Sequence, residues 1–117
     1  MLVRLLKEGI IEIRCRGELD GHHTSYIPEL IQLIVRLPGR ACLLFETLGV
    51  VHFTPAFALS HLDFLRSYQR RIQRIAVVYT LPSVPMSILA VSVSSGLEIQ
   101  GFPGLDEALR WLESPGN

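Results

Sequence analysis

The sequence predicts a single α/β domain around a largely parallel sheet, on three observations. Two continuous apolar runs, Ala41-Cys42-Leu43-Leu44-Phe45 and Ile75-Ala76-Val77-Val78, have the pattern of strands buried on both faces. Stretches of helical apolar spacing alternate with such runs, the order expected of parallel βαβ units with right-handed crossovers. The length of 117 residues fits one domain, residues 1–117, and 49% hydrophobic against 19% charged residues gives a core where disorder would show polar excess.

The first element is a hairpin, strands 2–7 and 10–16 about Glu8-Gly9. In Ile11-Glu12-Ile13-Arg14-Cys15-Arg16 apolar and charged residues alternate, so the second strand has one wet face. Asp20 offers an N-cap, and Ile27, Leu30, Ile31, Ile34 and Leu37 follow at helical spacing until Pro38-Gly39. This places helix one over 21–37, with Pro28 kinking it or marking where its regular part begins. After strand 41–45, Thr54-Pro55 is an N-cap followed by proline at the first helical position. Phe57, Phe64, Leu65 and Tyr68 then define helix two over 55–70. Strand 73–79 leads to 83–95, where Val91-Ser92-Val93-Ser94 alternates like a strand but Pro85, Met86, Leu89 and Val93 suit a helix capped by Ser83. A helix is expected, because Leu97-Glu98-Ile99-Gln100 alternates more cleanly as the next strand. Leu105, Ala108, Leu109 and Leu112 form a last amphipathic helix with Asp106 and Glu107 in its first turn, and Ser114-Pro115-Gly116-Asn117 is an end expected to fray.

Composition excludes several classes of function. Eleven basic and eleven acidic residues give a formal charge of zero, without the field of a nonspecific nucleic-acid binder. Arg4, Lys7, Glu8 and Glu12 interrupt the start, unlike a signal peptide, and no run approaches the roughly 18–20 apolar residues of a membrane span. Cys15 and Cys42 read as buried small hydrophobes in a reducing cytoplasm. Serines lack the nucleophile-elbow context, carboxylates fall on separate elements, and there is no phosphate-binding glycine loop, so neither an enzyme nor a cofactor is expected. His22 and His23 point different ways, and His52 and His61 flank the start of helix two without metal-ligand spacing.

The stretches Gly17-Glu18-Leu19, Ala41-Cys42-Leu43-Leu44-Phe45, Phe53-Thr54-Pro55, Arg74-Ile75-Ala76-Val77-Val78 and Phe102-Pro103-Gly104-Leu105-Asp106-Glu107-Ala108 give the chain, over nearly its whole length, a resemblance to the SpoIIAA-like proteins. That family has the STAS-type α/β fold shared with anti-sigma-factor antagonists and the cytoplasmic domains of sulfate transporters. The resemblance implies a mixed sheet of about five strands, an N-terminal antiparallel hairpin with its first strand at the edge, sequential parallel strands and about four helices. In the antagonists helix two opens with an Asp-Ser-Ser/Thr-Gly motif holding the phosphorylated serine. Here the corresponding Phe53-Thr54-Pro55-Ala56-Phe57 has neither serine nor glycine, leaving Thr54 as the one hydroxyl, an N-cap first and a phosphate acceptor second.

With sequential strands and right-handed crossovers, the helices crowd onto one face of the sheet, so the other face needs a wrapping helix or a second subunit; a homodimer is the expectation. The leading reading is a non-enzymatic, cytoplasmic regulatory or protein-interaction module. It would work through His52, Phe53, Thr54, Pro55 and Ala56, beyond the strands' carboxyl ends. Arg66, Arg70, Arg71 and Arg74 form a candidate basic patch for an acidic partner, without the aromatics that stack nucleic-acid bases. The alternative reading is a carrier of a small amphiphile or lipid in an apolar pocket among Phe53, Phe57, Phe64 and Met86, and an uncharacterised enzyme comes third.

Overall fold

In the computed structural model, which describes residues 1–114, the hairpin forms as expected. Strand β1 (Leu2–Lys7) turns at Gly9, whose φ of 79° favours a residue without Cβ, into the antiparallel β2 (Ile10–Leu19). Helix α1 (Ile27–Arg36) leads to β3 (Ala41–Phe53). Two short helices follow, α2 (Pro55–Leu59) and α3 (Leu62–Ser67), and then a 3-10 turn at Gln69–Arg71. The chain continues through β4 (Ile72–Val78), α4 (Val84–Ser95), β5 (Ile99–Phe102) and α5 (Leu105–Glu113). The strands lie in the order β1-β2-β3-β4-β5, with β1 antiparallel at the edge and the others parallel, which is the mixed α/β sheet expected.

Local chemistry moves several boundaries. Helix one starts at Ile27, because the Asp20 carboxylate accepts the His22 N–H at 2.8 Å and closes a turn, while Pro28 sits in the first helical turn, where a missing N–H is harmless. Helix two is divided. The His61 N–H bonds the Ala58 carbonyl three residues back. Its α-helical acceptor, the Phe57 carbonyl, is instead taken by the side chains of Ser60 (2.6 Å) and His61 (2.7 Å). Strand β3 runs on from Phe45 to Phe53; buried Glu46 and Thr47 end the apolar run but not the strand. The last strand begins at Ile99, two residues later than its alternation suggests. Of the tail expected to fray, Pro115, Gly116 and Asn117 lie outside the described residues.

Period-two alternation gives the sheet one apolar face along its length and a second that is apolar over β3–β5. Ile11, Ile13, Leu43 and Ile75 face Leu30 and Ile34 of α1, Phe57, Phe64 and Leu65 of α2–α3, and Val91 of α4. On the opposite face Ile10, Cys42, Leu44, Ala76, Val78 and Phe102 pack against Ala108 and Leu112 of α5. The second face is therefore covered, over β3–β5, by a helix of the same chain. This is the first of the two covers considered, and it removes the reason for which a second subunit was invoked.

Candidate functional site

Residues 52–56 form one continuous surface. Pairing of β3 with β4 ends at Glu46 opposite Val78, while β2 and β3 stay paired to Leu19 opposite Phe53, so a two-stranded ribbon projects beyond the rest of the sheet. Exposed His52 stands on this ribbon opposite Glu18. Thr54 is at the N-cap position with extended backbone (φ −110°, ψ 149°), yet its hydroxyl makes no cap bond. It donates to the Leu19 carbonyl at 3.4 Å, beside the Thr54 N–H at 3.1 Å, and so ties α2 to the end of β2. Pro55 and Ala56 are exposed.

Behind Phe53 lies an apolar cavity of about 70 Å³ between the sheet and helices α2 and α4, walled chiefly by Phe45, Phe53, Phe57, Ile75, Val77 and Ile88. Of the four residues expected to line such a pocket, Phe53 and Phe57 do so, meeting edge to face at 5.8 Å. Phe64 is buried in the core instead, and Met86 is exposed beside a shallow groove with Pro55, Leu59 and Ala90. His61 also lines the cavity and is buried. Its Nδ1–H donates to the Phe57 carbonyl at 2.7 Å, so Nε2 is the acceptor and the buried Tyr26 hydroxyl donates to it. Burial depresses the His61 pKa below the usual histidine value, against the opposing pull of the Phe57 carbonyl, and pushes Tyr26 well above the usual tyrosine value; both are neutral. Thr47 Oγ1 donates to the Val78 carbonyl at 2.6 Å. The cavity thus presents hydrocarbon, with the histidine and threonine already engaged by the protein.

Helix α4 has no charged face to give to water. Val84 and Val91 are buried with Ser87 and Ser95, while Met86, Leu89 and Val93 are 74%, 61% and 76% exposed. The residues that made this segment read as a helix therefore point outward, beside Leu59 of α2. One signal was available in the sequence: no residue from Ser83 to Gly96 is charged, so no polar face was there to turn to water. Position 61 lies four residues after Phe57, on its inward stripe, but neither the enclosure of His61 nor its partner Tyr26 follows from that spacing.

The four arginines are not brought together. Arg66 donates to the Ser94 carbonyl of α4 (3.2 Å), and Arg71 to the Ile34 and Leu37 carbonyls at the end of α1 (3.2 and 3.0 Å). Arg74 bonds the Trp111 carbonyl of α5 (2.7 Å), with its guanidinium 4.7 Å from the Trp111 ring centroid. Each satisfies the C-terminal carbonyls of a different helix, and Arg70 is left exposed. Both cysteines are free and buried, and burial pushes the Cys15 thiol up to about 12, which keeps it protonated. Among the described residues no group of three or more His, Cys, Asp or Glu side chains could hold a metal ion, and no helix is long and apolar enough to cross a membrane.

Comparison with solved structures finds the same architecture elsewhere. An uncharacterised protein of the DUF3478 family with a SpoIIAA-like fold, from Shewanella loihica PV-4, superposes with a TM-score of 0.66 over 94% of this chain and 90% of that one, at 16% identity. The anti-sigma factor antagonist SpoIIAA in its unphosphorylated form superposes with a TM-score of 0.68 over 97% of this chain and 98% of its own, at 14% identity. No curated protein matches the sequence. At such identities the superpositions speak for the fold alone. The sequence itself goes further, because the family model of SpoIIAA-like proteins matches residues 10–113, from the first residue of β2 to the last of α5, and the chain belongs to the SpoIIAA-like family.

Proposed function

We propose that the chain is a non-enzymatic regulatory module of the cytoplasm that docks a partner protein on the surface made by the start of α2 and the outward stripe of α4. The exposure of Met86, Leu89 and Val93 carries this reading: a helix without a charged residue presents a stripe of large apolar side chains to water. The surface adjoins His52–Ala56, beyond the carboxyl ends of the strands, where open α/β sheets place their sites. The likeness to an anti-sigma factor antagonist supports a regulatory use of this fold by analogy.

Met86→Glu combined with Val93→Glu adds two charges to the stripe and removes no core contact. A partner crosslinked through a photoreactive residue at position 89 of the otherwise native chain should be lost from the double variant, at unchanged melting temperature. Crosslinking that survives both charges would refute the docking surface.

The cavity favours a second reading, carriage of a small apolar or amphiphilic molecule. Its roughly 70 Å³ is about half the ~150 Å³ that holds benzene in an engineered protein cavity, so the guest it fits as shaped is very small. Native mass spectrometry of the purified protein separates the readings, since a copurified nonpolar ligand would favour carriage. The same spectra report whether two copies pair, in which case the α4 stripe is the surface they would hide.

A further inference from the structure

The face of the sheet that α5 covers over β3–β5 has a second half, over β1 and β2 and the upper part of β3, where alternation places Arg4, Glu12, Arg14, Arg16 and Glu46. Two carboxylates form its floor. Glu12, whose side chain is 2% exposed, accepts Arg4 Nε at 2.8 Å and Arg14 Nη2 at 3.3 Å through one oxygen. Glu46, 8% exposed, takes Arg16 Nη1 at 3.0 Å and faces Arg14 Nε at 3.5 Å, while its other oxygen accepts the Leu48 N–H at 2.6 Å. The Arg14 Nε atom is buried without a hydrogen bond among the described residues. Arg16 Nη1 also donates to the Cys15 carbonyl at 2.8 Å.

Gly49 completes the arrangement, since a Cβ there would lie 2.3 Å from Arg16 Cδ; only glycine lets Arg16 lie flat across β3 and reach Glu46. The three guanidiniums, 35–55% exposed, are thus held in fixed positions by acids that do not themselves reach solvent. Each guanidinium carries five N–H donors, and the bonds above use few of them.

We propose that this guanidinium platform is a second docking surface, distinct from the α2–α4 stripe, for a carboxylate-rich segment of a partner protein. Among these five residues the two inner carboxylates offset two of the three guanidinium charges, which suits a few carboxylates better than a polyanion. Strands β1 and β2 carry no aromatic residue on which a base could stack. A second copy laid face to face would set arginine against arginine. Exposed Leu2, opposite Arg14, adds an apolar contact of the kind a protein segment offers.

The test titrates hexaglutamate into the isotope-labelled full chain and follows backbone amide shifts, with inorganic phosphate and phosphatidylserine vesicles as parallel probes. Saturable shifts confined to residues 2–4, 12–16 and 46–49 are expected, stronger than those with either comparison probe. Arg4→Gln combined with Arg16→Gln, both at half-exposed positions, should weaken binding at least tenfold. Gly49→Ala, which displaces Arg16 alone, should weaken it about threefold, and Arg70→Gln should leave it unchanged. Shifts spread evenly over all exposed arginines, a double variant that binds as well as the native chain, or binding of phosphate or vesicles without hexaglutamate would each overturn the proposal.

Discussion

Tyr26 and His61 stand 35 positions apart in the sequence and meet in the core as a neutral hydrogen-bonded pair. Because burial holds the folded-state pKa of His61 below its unfolded value of roughly 6.5, the unfolded chain takes up a proton that the folded chain refuses. The stability that neutral His61 confers is complete above about pH 6.5 and is lost as the pH falls from there through the folded-state value. Melting temperature should therefore drop between pH 7.5 and 5.5 more steeply for the native chain than for His61→Gln, and equal slopes would mean that His61 is not the group responsible. Neither the burial of His61 nor its pairing with Tyr26 could be read locally: an inward helical stripe marks the position, but only the fold brings Tyr26 to it. Thr54 shows the converse. Its Thr-Pro dipeptide marks the helix start correctly, while its hydroxyl serves β2 because the Leu19 carbonyl lies within reach.

At the scale of elements, helix ends are stitched together by side chains from the stretch that runs from the last turn of α3 into β4. Arg66, Arg71 and Arg74 supply donors to the C-terminal carbonyls of α4, α1 and α5, and Gln69 Nε2 adds a bond to the Ser95 carbonyl at 3.0 Å. Hydrogen bonds from charged donors contribute about 1.5–3 kcal/mol where buried and less at exposed positions, so Arg74 matters most to stability and Arg66 least. A cluster of arginines in sequence predicts a patch only if the segment runs along one face. Here Arg71 serves one side of the sheet and Arg74 the other, since the chain enters β4 between them and strand residues alternate in direction. The long β3 escaped notice for a related reason, as Glu46 and Thr47 look like a strand's end until Arg16 and the Val78 carbonyl supply their partners.

For the molecule as a whole, α5 is what allows a sheet with sequentially ordered strands to stand without a second subunit. The helices α1 to α4 protect one face, and Ala108 and Leu112 of α5 protect Leu44, Ala76, Val78 and Phe102 on the other. A chain ending at Gly104 would bare that apolar surface. It should bind a hydrophobic dye and elute from size exclusion as dimers or larger species, whereas a truncated chain that stays monomeric with an unchanged melting temperature would show that the cover lies elsewhere. The same face carries its charge where α5 does not reach, so one side of one sheet serves both as core and as the arginine platform.

The α/β class, the order of the elements and most of their positions can be read along the chain alone. These follow from local apolar periodicity, glycine and proline placement and the continuous apolar runs of central strands. The direction in which α4 faces, the acceptors of each arginine and the enclosure of His61 emerge on folding. Those outcomes depend on which groups far apart in the chain come within hydrogen-bonding distance, and residue spacing along a single sequence carries no record of that.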